Sequence, residues 1–102
     1  MSHFTAVAVG RPEIPPRKVS SRLRSQLAYF MTAPNAAGVP PLLENEFWFD
    51  PAEVAKWLDE GVIDLVSPLD TANMTEVELT EEQEAWLDWL KSNTISHVRI
   101  LD

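Results

Sequence analysis

The side chains able to do chemistry in this sequence are few and scattered. The two histidines, His3 and His97, stand one each in two β-prone runs. A metal site needs ligands that converge, and the strand order read below puts these two at opposite ends of neighbouring strands, so no metal is expected. Carboxylates are more plentiful and bear on acid–base work. Glu44, Glu46 and Asp50 flank the aromatic triplet Phe47-Trp48-Phe49, Asp64 interrupts the apolar run Val62-Ile63-Asp64-Leu65-Val66, and Asp70 lies in a turn-rich stretch. Asp64 and Asp70 are the weak acid–base candidates. Asp64 earns attention only if buried, and alternation with Ile63 and Leu65 turns it towards solvent instead.

Other chemistries lack their parts. Ser67 precedes Pro68 with no nucleophile motif around it, and Gly10, Gly38 and Gly61 are the only glycines, too few for a phosphate-cradling loop. The absence of cysteine removes disulfides, thiolate zinc sites, iron–sulfur clusters and thiol nucleophiles together. No catalytic residue, cofactor or metal is therefore assigned, and an enzyme is the less favoured class.

Charge says more about partners. The net charge of −8 disfavours nonspecific affinity for nucleic acid or anionic membrane, yet it hides a division. Residues 1–42 carry five basic side chains against one acid, whereas residues 43–102 carry three against fifteen. Such asymmetry often marks an interaction surface. The expectation is that the basic segment 11–24 packs against the acidic body of its own fold. The competing reading leaves Lys18, Arg22 and Arg24 free for an anionic partner.

The elements that must position these residues can be read locally. Phe4–Val9 is a short β-prone run ended by Gly10, and residues 10–17 hold three prolines, which make a polyproline-like connector. Val19, Leu23, Leu27, Phe30 and Met31 recur at helical spacing, with Ser20 or Ser21 as cap and a stop near Thr32, before Ala33-Pro34. Residues 33–46 form a long loop without periodicity, of a length that is often functional. Asp50-Pro51 with Glu53 starts a helix over 51–60, stapled by Phe49 and Val54 and ended by Gly61 in a left-handed cap. Residues 62–66 read as a strand, 67–73 as a turn, and Thr75–Leu79 as a strand with Glu76 and Glu78 on its wet face. Thr80 and Gln83 form a capping box for a helix bearing Trp86, Leu87, Trp89 and Leu90. Residues 95–101 close the chain as a strand, with His97 and Arg99 on one face and Val98 and Ile100 on the other.

This order, β-α(α)-β-β-α-β, predicts a single α+β domain over 1–102 of the ferredoxin-like (split βαβ) kind, a four-stranded antiparallel sheet ordered 4-1-3-2 with helices on one face. The alternative is another two-layer α+β arrangement with an N-terminal arm. RNA binding on such a sheet is disfavoured, since Glu76 and Glu78 would repel phosphate. No run approaches the roughly 20 apolar residues of a membrane span, and no basic, apolar leader opens the sequence. The chain thus reads as a soluble cytoplasmic protein. Of the four tryptophans, Trp57, Trp86 and Trp89 fit helical core faces, while Trp48 is free to point elsewhere. The leading functional expectation is a small protein working through contacts with itself or a protein partner, as a homo-oligomer or accessory subunit. Its surface would combine Phe47 and Trp48 with Leu42 and Leu43 of the loop and with Lys18, Arg22 and Arg24. The alternative is a regulatory domain holding a small ligand between loop and sheet. An acidic inhibitor or immunity-type protein, imitating nucleic acid, or an enzyme of unknown reaction comes third.

Overall fold

Local capping sets the best-defined elements of the computed structural model, which describes residues 3–30, 45–66 and 73–102. Asp50 accepts from the Ala52 amide at 2.9 Å, and helix α2 (Pro51–Glu60) runs to Gly61, whose φ of +74° and N–H bond to the Trp57 carbonyl close the end. Phe49 and Val54, the two halves of the staple, are both buried. Thr80 and Gln83 exchange both bonds of the capping box that opens α3 (Glu81–Ser92). We expect Asp50→Ala to cost about 1 kcal/mol, as losing an N-cap acceptor does. Gly61→Ala should cost about the same, from backbone strain alone, because no atom lies within 4 Å of a Cβ built there. Urea melts that show neither loss would refute this account of the helix boundaries.

The strands divide into two sheets. β1 (His3–Ala8), β2 (Arg17–Ser20), β3 (Glu46–Trp48) and β6 (His97–Leu101) make an antiparallel sheet in the order β2-β1-β6-β3. β4 (Val62–Val66) and β5 (Met74–Glu78) pair separately as a hairpin, and an isolated bridge joins Leu65 to Phe30. The α+β class is as expected, and so is the antiparallel pairing of the first and last strands. The ferredoxin-like order is corrected. The hairpin does not insert into the main sheet, whose two remaining places are taken by the short strands β2 and β3.

The N-terminal helix is also shorter than its periodicity implies. Val19 belongs to β2 opposite Phe4, and helix α1 covers Ser21–Gln26, followed by one 3₁₀ turn over Leu27–Tyr29. Ser20 caps it as anticipated, accepting from the Leu23 amide at 3.1 Å. The loop 33–46 and the turn 67–73 lie almost wholly outside the described residues.

One apolar core fills the space between the inner face of the main sheet and the helices. Ala6, Ala8, Phe47, Val98 and Ile100 meet Leu23, Val54, Trp57, Trp86, Leu87 and Leu90 there. Glu76 and Glu78 are exposed as the alternation requires, with Val77 and Leu79 partly buried against the core. No described helix is long and apolar enough to cross a membrane.

Candidate functional site

The residues singled out by sequence separate according to the sheet's alternation. Phe47 faces inwards and is 3% exposed, so it is core and not contact surface. Trp48, its neighbour on edge strand β3, faces outwards and is 39% exposed. The β3–β6 register sets Trp48 opposite His97 and Glu46 opposite Arg99, so all four side chains share the outer face. The Trp48 indole lies flat on the His97 ring, with centroids 3.8 Å apart and planes 12° from parallel. Beneath them, Glu46 is nearly buried and meets two basic groups. His97 Nε2 lies 2.8 Å from Glu46 Oε1 and Arg99 Nη2 lies 3.5 Å from the same oxygen. The His97 contact is one of proximity, since no aligned hydrogen bond forms at that nitrogen among the described residues. Thr5, Val7 and Leu101 continue the same face, half-exposed or exposed, because every described helix packs on the other side.

The alternation in β6 already placed His97 and Arg99 on one face. Their partnership with Glu46 and Trp48 was hidden because it depends on a three-residue strand pairing across half the chain. His3 begins β1, at the far end of the β1–β6 ladder from His97, so the two histidines are well separated. Among the described residues no group of three or more potential ligands gathers round one point.

The basic candidates do not act as one patch. Lys18 is exposed on the outer face of β2, and Arg22 is exposed on α1. Arg24 turns inwards, its guanidinium 5.2 Å from the centre of the Phe47 ring and 5.9 Å from that of Phe4. Leu42, Leu43 and Asp70 lie outside the described residues. A groove of about 450 Å³ opens beside Arg24, lined among the described residues also by Phe4, Asn45, Ile100, Leu101 and Asp102.

Asp64 reverses its expectation. It is 9% exposed, because β4 is covered on both faces, and its Oδ2 accepts from Trp57 Nε1 at 3.3 Å. The carboxylate therefore serves to satisfy a buried indole and stands apart from any other acid–base group named above.

Segment 11–24 packs on the body through buried Ile14 and Val19 and through Ser20 Oγ, which donates to Glu82 Oε1 at 2.7 Å, whereas its basic side chains make few charged contacts with the described acids. Among the described residues, Arg17, Lys18 and Arg22 have no carboxylate within 4 Å. Arg11 pairs inside its own segment, with Glu13 at 2.8 Å, and its guanidinium holds that exposed carboxyl below the usual carboxylate range. With few such ion pairs among the described residues, the self-repulsion of a chain of charge −8 should outweigh them. Its melting midpoint should rise between low and moderate sodium chloride. A falling midpoint would restore the internal-packing account.

No family model matches the chain, and no curated protein or solved structure was found similar to it.

Proposed function

We propose that this protein works by contact with another protein through the outer face of its four-stranded sheet, with Trp48 as the anchor. The observation that carries the reading is the half-exposed indole already stacked on His97. Tryptophan and arginine dominate the energetics of protein interfaces, because each gives large contact area and directional polar groups. Here the stack restricts the indole before any partner arrives, which lowers the ordering entropy that association must overcome. Arg99, with its side chain 47% exposed, adds a cation beside the ring, and Leu101 adds apolar surface along the same strand. A cytoplasmic setting belongs to the same proposal, supported by a sequence without cysteine.

The test is a photo-crosslinking residue placed at position 48 in cells, with the exposed position 56 on α2 as control. One discrete adduct from position 48, lost in Arg99→Glu, is the expected result. Adducts indistinguishable from those of position 56 would overturn the reading. A second reading, a small-ligand domain, is favoured by the groove beside Arg24. It predicts that Arg24→Ala, which removes the cation lining the groove, abolishes ligand-induced stabilisation without affecting the adduct at position 48.

A further inference from the structure

Among the described residues, each sheet has an outer strand whose far side no described strand occupies, and these two strands are opposite in charge. β2 is outermost in the larger sheet, and no described strand pairs with its far side. Lys18 is exposed on it, and neither Lys18 nor Arg17 has a carboxylate within 4 Å among the described residues. In the hairpin, no described strand pairs with the far side of β5, whereas the other side of β4 carries the Phe30–Leu65 bridge. β5 exposes Glu76 and Glu78 and only partly buries Val77.

An edge strand presents main-chain N–H and C=O groups that another strand can satisfy, and charged side chains decide which strand is admitted. Two β2 edges would set lysine and arginine against their own kind, and two β5 edges would do the same with glutamates. Like pairings are thereby rejected, while β2 against β5 brings opposite charges together.

We propose that copies of this chain associate head to tail, the β2 edge of one adding to the β5 edge of the next. In the antiparallel register with Lys18 opposite Glu78, Val19 falls opposite Val77 and Ser20 opposite Glu76. That register keeps the charged pair on the wet face of both strands and the valines on the inner face, which a one-residue slip would reverse. Pro15 and Pro16 lack N–H donors, so the added ladder ends at Arg17. A second copy is the occupant because this chain itself supplies both complementary edges. Such an interface is heterologous and closes into a ring or grows as a chain. It lies on other strands than the Trp48 surface, so the failure of either proposal leaves the other standing.

Sedimentation velocity on the unaltered protein tests this. The average mass should climb above 11.5 kDa with concentration and return towards it as sodium chloride is raised. Lys18→Glu and Glu78→Lys should each weaken association about tenfold or more. The double variant should regain it, and so should an equimolar mixture of the two single variants, because each then supplies the missing sign to the other. Both positions are exposed, and recovery on mixing excludes a folding defect as the cause of the loss. A mass of 11.5 kDa at every concentration up to about 1 mM overturns the proposal. Single variants that associate as the unaltered protein does, or that fail to recover on mixing, overturn it equally.

Discussion

Phe30→Ala is expected to destabilise the protein by about 3–5 kcal/mol, the range for truncating a fully buried phenylalanine. Phe30 is 0% exposed and stands second, after Trp57, in a line of aromatic rings. Its ring meets Trp57 edge-on at 6.4 Å and Phe49 at 6.3 Å, and Phe49 in turn meets Trp86 at 6.0 Å. Trp86 contacts Trp89 at 5.3 Å. The side chain therefore joins the hairpin side of the core to the β3 side, and its backbone makes the Leu65 bridge. Removing it leaves a cavity and separates two edge-to-face contacts, each adding about 0.5–1.5 kcal/mol beyond area burial. Against a total stability of roughly 5–15 kcal/mol, the loss is a large fraction. Urea unfolding should show a lower midpoint, and a loss below about 1 kcal/mol would mean the site collapses without a void.

The second large effect is expected at Asp64. Asp64→Ala should cost about 1–3 kcal/mol, because it strands a buried Trp57 N–H without an acceptor. The contact is long at 3.3 Å, which favours the lower half of that range. Asp64→Asn retains an amide oxygen and should recover part of the loss. Trp57→Phe removes the donor, so the double variant should lose less than the sum of the two single ones. Additive losses would show that the pair does not interact. Trp86 supplies the contrast, since its Nε1 is buried with no acceptor among the described residues, and Trp86→Phe should be the milder aromatic replacement.

The parts of the fold legible in the sequence are those whose instructions are local. Asp50, Pro51 and Gly61 bound α2, and Thr80 with Gln83 opens α3, through bonds spanning two to four residues. The strand β4 is bounded on one side by the same glycine. What failed was non-local. Val19 sits four residues before Leu23, a spacing that suits one helix face, yet Val19 is buried by pairing with Phe4 across a hairpin. β3 is three residues long, too short for an alternating pattern, and owes its place to β6. The inward staple at Phe49 left Trp48 free to point elsewhere, as it does, but alternation along β3 then requires that Phe47 turn in. Alternation misplaced Asp64 because the rule assumes one wet face and β4 has none. The missing clue was Trp57, whose buried indole needs an acceptor and whose helix turns directly into β4 at Gly61.

The order β2-β1-β6-β3 also has a temporal side. The two central strands are residues 3–8 and 97–101, with Thr5 set opposite Leu101, so the sheet closes through a contact spanning nearly the whole sequence. During synthesis the β1–β2 hairpin can form early, whereas β1's other edge finds no partner until β6 has been made. α2, β4, β5 and α3 are contiguous and can assemble in that interval. Closure of such distant contacts is slow, and an unpaired central strand is a template for the wrong neighbour. The nascent chain before β6 is made is then the form of this protein with most reason to meet a chaperone.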